Sequence, residues 1–213
     1  NSQNYLDDLL DGFKSLGGKL IQDEVLDISE KEDLVQVVGR EKSVLVEDII
    51  ISSGVYSDKF AKKFGVKVPI QSERGYHLEL HETDIKLKYP IMNGYLKLAI
   101  TPRPTGIRFA GLVEFGSLNS NPNPKAFELL MRNANSMFPG IKFKTKQEWS
   151  GHRPSTVDSL PIIGSSSVNK KIHFGYGHHH IGLTGGPKTG KILSKTILRD
   201  NEKLDIESFN PSR

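Results

Sequence analysis

From Arg74 onward the chain alternates, with apolar Tyr76, Leu78 and Leu80 separated by polar His77, Glu79 and His81. Successive side chains of a strand point to opposite faces, so a period of two predicts a strand with one dry and one wet side. Residues 96–101 and 107–113 read as further strands joined by a turn at 102–105. An antiparallel sheet with one solvated face is therefore predicted for the middle of the chain. A helix over 124–136, set between Asn/Pro signals and Phe138-Pro139-Gly140, follows it.

The flanking regions follow other periods. Tyr5, Leu6, Leu9, Leu10, Phe13 and Leu16 recur at helical spacing, and Gly17-Gly18 supplies a stop. Short β-type runs at 19–22, 25–28, 34–38 and 43–46 predict an antiparallel meander. Ile49-Ile50-Ile51 is a continuous apolar run, the mark of a strand buried on both faces, and it ends at Ser52-Ser53-Gly54. A helix is predicted from about Ser57 to Gly65. The last third carries strands near 143–149, 161–164 and 171–174, then a helix from about 186 to 198. The expected fold class is mixed α/β with an α+β lobe.

At 213 residues the chain can bury a sizeable core. No apolar run approaches the ~20 residues that span a bilayer, and no basic-then-apolar leader opens the sequence. The expected location is the cytoplasm, with a peripheral place at the inner membrane as the variant. The first residue is Asn, which fits a partial reading frame. Cysteine is absent, so disulfides and thiolate metal sites are excluded. The net charge of +4 comes from scattered lysines, with small clusters at 59–67 and 142–146 and no interleaved aromatics. That pattern describes a solvated basic surface and not a nucleic-acid site.

Two segments carry chemistry. Gly151-His152-Arg153-Pro154 sets one arginine in a tight Gly/Pro frame, with Trp149 just before it. In a packed, apolar setting a guanidinium needs a partner, and a substrate carboxylate fits its fork through two parallel hydrogen bonds. Its bland reading is a surface arginine in a turn. The run from Gly177 through Thr184 is a glycine-rich turn opening a helix, which presents free N–H groups and a positive dipole end. His180 at its mouth can donate to a substrate or be an ordinary exposed turn histidine.

Other patterns weigh less. Gly185-Gly186-Pro187-Lys188-Thr189-Gly190-Lys191 fits G-x-x-x-x-G-K, but Ile192 stands where a Ser or Thr must ligate magnesium. Pro187 at the first position of a helix is the simpler account. The side chains of consecutive His178, His179 and His180 point different ways and cannot converge on one metal ion. His77 and His81 lie ~13 Å apart on a strand. No G-x-G-x-x-G fingerprint is present.

The wording of 151–164 and 177–184 resembles the C-terminal part of the FAD-dependent amino-acid oxidases and dehydrogenases, nearest the D-amino-acid dehydrogenase branch. Residues 49–57, Arg74-Gly75-Tyr76, and Thr101-Pro102-Arg103 through Gly111-Leu112-Val113-Glu114 are similar to further parts of that family. The resemblance implies part of a Rossmann-type FAD-binding lobe at 1–72 and 147–213 and a substrate lobe at 73–146. It implies that Arg153 anchors a substrate carboxylate and that His180 assists. FAD would be lined by Val25, Gly54, His178, His179, His180, Ile181, Gly182, Leu183 and Thr184, with no metal. Ala99 stands where amine oxidases of this group often have a tyrosine. The implied reaction oxidises the carbon–nitrogen bond of a small amino acid to an imine and then a 2-oxo acid, with the electron acceptor left open. The dinucleotide fingerprint of the family's first half is missing, so the expectation is a part of a longer flavoprotein that is inactive alone. A non-catalytic binding fragment and, behind it, a P-loop protein are the alternatives.

Overall fold

The computed structural model describes residues 2–200 and 206–213. The chain forms two compact units, one up to Ile49 and one from Ile50.

The first unit holds helix α1 (Ser2–Ser15) and an antiparallel meander of β1 (Val25–Lys31), β2 (Leu34–Gly39) and β3 (Ser43–Val46). Ile28 and Val35 are its buried side chains, while Leu6, Leu9 and Phe13 of α1 are half exposed. The strand expected at 19–22 does not form. Just beyond it, the Asp23 carboxylate accepts the N–H groups of Glu24, Arg40, Glu41 and Lys42. These bonds pin the approach to β1 against the β2–β3 turn as irregular backbone.

The boundary falls within β4 (Ile49–Ile51), the edge of a three-stranded sheet ordered β10-β11-β4, where β10 is Ile162–Ser165 and β11 is Ile172–Tyr176. Ile51 is buried but Ile50 is 43% exposed, so the expected burial on both faces does not hold. The helix at 182–197 packs on β10 and β11 and not to the same extent on β4, which leaves this strand less covered. The predicted helix after it is broken into a 3₁₀ turn (Gly54–Ser57), the single turn α2 (Asp58–Ala61) and another 3₁₀ turn (Lys62–Phe64). Gly65 ends it at φ +80°, a conformation glycine adopts without steric cost.

The larger sheet is built around β5 (Ile70–His81). β6 (Ile91–Asn93), β7 (Leu98–Arg103), β8 (Gly106–Phe115) and β9 (Thr145–Thr156) complete it in the order β6-β7-β8-β5-β9, every pairing antiparallel. β9 pairs with β5 from Ile70↔Thr156 to His81↔Thr145. Gly151–Pro154 is therefore extended strand and not a tight turn, and the division expected at 146/147 falls inside β9. Pro154 is tolerated because β9 is an edge strand.

Helix α3 (Pro124–Met137) is capped by Asn123, whose side chain accepts from Lys125 N–H, and has proline at its start. Its Leu130 and Ala134 close over Leu78, Leu80, Leu98, Ile100, Ile107 and Phe109, all on one side of the sheet. The alternation at 76–81 thus places a dry face under α3 and leaves the other face open. Helix α4 (Gly182–Ile197) starts four residues before the expected position, because Thr184 and Gly185 N–H already bond to Ile181 C=O. Pro187 consequently lies inside the helix and not at its first position.

Candidate functional site

The open face of the large sheet is written in the register of β5 with β9. Glu73 lies opposite Arg153, Gly75 opposite Gly151 and His77 opposite Trp149. Directly paired residues share a face, so these six form a patch. Its floor is flat because both central residues lack a Cβ. A Cβ on Gly75 would stand 2.5 Å from Arg153 Nη2, and one on Gly151 would stand 2.3 Å from the Trp149 indole. The guanidinium and the indole therefore lie flat across the two glycines. His77 stacks on Trp149 with ring centroids 4.7 Å apart and planes 14° from parallel. Burial holds the His77 pKa down to about 4, with Arg108 and Arg103 adding to the depression and Glu79 opposing it.

Arg153 is not unpartnered. Its Nη1 donates to Glu73 Oε1 at 3.0 Å, and Ser155 Oγ donates to the other carboxylate oxygen at 2.7 Å. The Arg153 side chain remains 33% exposed, and this single bond leaves most of its five donors for a ligand. Glu73 thus fixes the guanidinium through one nitrogen while part of the side chain stays open to solvent. Glu73 and Gly75 escape a reading of the sequence because they lie about 80 positions from Arg153 and meet it only through strand register. The one signal was a glycine interrupting the pattern in each of two strands.

The turn after β11 brings its three histidines to three different places. His178 Nε2 lies 2.8 Å from Thr189 Oγ1, and that hydroxyl donates to Gly185 C=O, so the ring proton sits on Nε2. Burial lowers the His178 pKa, and its ring packs 3.3 Å from where a Gly185 Cβ would be. His179, at φ +52°, accepts the Thr156 N–H on Nε2 at 3.1 Å. Its proton therefore rests on Nδ1, which stands 4.0 Å from Glu73 Oε2. His180 is exposed. The turn and the Arg153 patch are joined by an isolated bridge between Ser155 and His178 and by His179 N–H donating to Pro154 C=O.

The first turn of α4 has no side-chain cap, and Ile181 and Leu183 beside it are about half exposed. Uncapped N–H groups between apolar side chains suit the electron-rich edge of a flat ring such as that of FAD. The N–H groups of Gly182 and Leu183 have the chemistry to meet that group. Residues 185–191 are helical, so the G-x-x-x-x-G-K pattern forms no phosphate loop. Gly54 adopts φ +59° with nothing within 4 Å of a Cβ position. Val25 opens β1 in the other unit and is 37% exposed. No helix among the described residues is long and apolar enough to cross a membrane.

Residues 1–196 match the family described as FAD dependent oxidoreductase. A D-amino-acid oxidase of Bradyrhizobium diazoefficiens is 29% identical over 202 residues, covering 92% of this chain and 48% of that protein. A glycine oxidase of Bacillus licheniformis is 31% identical over 206 residues, covering 95% of this chain and 55% of that protein. The chain therefore spans about half the length of the curated relatives it matches. The crystal structure of glycine oxidase from Geobacillus kaustophilus superposes with a TM-score of 0.82 over 94% of this chain and 55% of its own, at 19% identity, a likeness of fold.

Proposed function

The chain belongs to the FAD-dependent oxidoreductase family, and from that premise we propose that it supplies the substrate-facing sheet and the flavin-facing turn of an amino-acid-oxidising enzyme. The reaction takes a small amino acid, in the D-amino-acid dehydrogenase manner, to an imine that hydrolyses to a 2-oxo acid and ammonia. The observation that carries this reading is Arg153, laid flat over Gly75 on an open sheet face and tethered by Glu73 on one side only. An arginine so held is ready to clamp a carboxylate with its free edge.

FAD, when bound, supplies the hydride acceptor. The protein's own part is placement and charge. Arg153 fixes the substrate carboxylate and so limits where the adjacent carbon can lie. Glu73 holds the guanidinium in its plane, and Ser155 holds Glu73. The first-turn N–H groups of α4, at the positive end of the helix dipole, favour negative charge beside Gly182 and Leu183. His178 and His179 are each locked in one tautomer by Thr189 and Thr156, which fixes the turn that carries these groups. His180 is exposed at its mouth, which supports its proposed part in meeting a ligand. Val25 and Gly54 are further proposed flavin contacts.

The lobes at 1–72, 73–146 and 147–213 remain part of the proposal, as does a cytoplasmic place. The family's remaining cofactor contacts would come from a region that the relatives carry and this sequence does not span. The test is to assay the longer gene product with D-amino acids, D-hydroxyproline, sarcosine and glycine, using oxygen and an artificial acceptor in parallel. Acceptor reduction is expected in step with 2-oxo acid and ammonia from the primary amino acids, glyoxylate and methylamine from sarcosine, or the cyclic imine from D-hydroxyproline. A flavin-loaded protein that turns over none of these amines would refute the reading.

A further inference from the structure

Beyond the His77–Trp149 stack, on the same open face, two guanidiniums share one carboxylate. Glu79 is 6% exposed. Its Oε2 accepts from Arg108 Nε and Nη2 at 3.1 and 2.9 Å, whereas Arg103 Nε stands 3.7 Å from Oε1. That last distance is too long for a hydrogen bond. Arg103 Nε is buried without any hydrogen-bond partner. A buried donor left unpaired is costly and calls for an explanation.

Charge points the same way. Two guanidiniums face one carboxylate, which leaves this cluster with a net positive charge. Both arginine side chains remain about a third exposed, at 27% and 32%, so a ligand can reach them. The register Ala99↔Ala110 and His77↔Ala110 puts two small residues between this cluster and the Arg153 patch. The Arg153 guanidinium lies over Gly75, and Glu79, the carboxylate that gathers the two arginines, is four residues further along β5, a span of ~13 Å at ~3.3 Å per residue.

We infer that Arg103, beside Arg108, is a second anion-binding point, and that the protein takes an elongated amino acid whose side chain ends in a carboxylate. The inference rests on the reading that Arg153 holds the α-carboxylate, and it replaces the small side chain of that reading with a long acidic one. Between the two ends the ligand's hydrocarbon would cross the face at His77, Trp149 and Ala110, while its far carboxylate would pair with the exposed part of the Arg103 guanidinium.

Trp149 is the single tryptophan of the chain, so its fluorescence reads this face directly. The full chain is titrated with decanedioate, butanedioate and decanoate. Decanedioate should bind roughly tenfold tighter than either, because its second carboxylate is delivered at high effective concentration. Arg103→Gln should reduce that preference to about twofold or less, and Arg103→Lys should retain part of it. Arg153→Gln should weaken decanoate itself. Equal binding of the three acids by the wild type, or a preference that survives Arg103→Gln while Arg153→Gln still weakens decanoate, would overturn the second point alone. Decanoate binding indifferent to Arg153→Gln would overturn the anchor beneath it.

Discussion

On β5, Leu78 and Leu80 are completely buried under α3, while their neighbours His77 and Glu79 carry a ring stack and a shared carboxylate on the other side. The two faces of the sheet use alternate residues of the same strands, yet different physics holds each. The dry face is held by area: Leu98, Ile100, Ile107 and Phe109 are at most 1% exposed and close-packed against Leu130 and Ala134. The open face is held by pairs of charges, flat glycines and one aromatic stack. The Arg153–Glu73 pair is partly exposed, and such pairs add little to stability, so this part of the open face is free to be shaped for a ligand. Substitutions should therefore separate cleanly, the dry face answering in stability and the open face in binding.

The largest effect belongs to the dry face. Phe109→Ala removes a fully buried ring that meets Phe138 edge-on and should cost about 3–5 kcal/mol of unfolding free energy. Urea denaturation checks it, and a loss under about 1 kcal/mol would mean the core is not where the sheet is held. Gly75→Ala should do the reverse. A Cβ there meets only the tip of Arg153, a flexible end that can swing away, so stability should change little. The guanidinium would be displaced, and carboxylate binding should weaken by about 1–3 kcal/mol. If Gly75→Ala unfolds the protein without weakening binding, the two faces are not independent.

A smaller, pH-dependent effect sharpens the same contrast. The unfolded chain takes up a proton on His77 near its ordinary value of 6.5, whereas the folded protein resists it down to about 4. The unfolded state then binds more protons between those values, so His77 makes stability rise with pH across that window. His77→Gln should flatten that slope. The urea midpoint of both proteins, followed from pH 4 to pH 6.5, measures it. Identical slopes would show that His77 is not held neutral on this face.

How much of this was legible depended on whether the cause was local. The period of two at 76–81 and the helix over 124–136 between its Asn/Pro signals are written in neighbouring residues and formed as read, and the meander formed at 25–46 without the run at 19–22. Arg153 was singled out by its Gly/Pro setting, but the features that hold it are Glu73 and Gly75, which only strand pairing brings near. The start of α4 was misplaced because its N-terminus carries no Ser, Thr, Asp or Asn cap to mark it, and Pro187 offered a false signal inside the helix. The Arg103–Glu79–Arg108 cluster likewise joins three strand positions that no spacing rule connects.

The most direct test of the whole account pairs two measurements on Arg153→Ala in the longer flavin-loaded protein. The account predicts that kcat/KM for a carboxylate-bearing amine falls by a factor equivalent to about 2–5 kcal/mol. The urea unfolding free energy should move by less than about 1 kcal/mol, since the Glu73 pair is partly exposed. An unchanged kcat/KM, or a fall matched by an equal loss of stability, would contradict the assignment of the open face to the substrate.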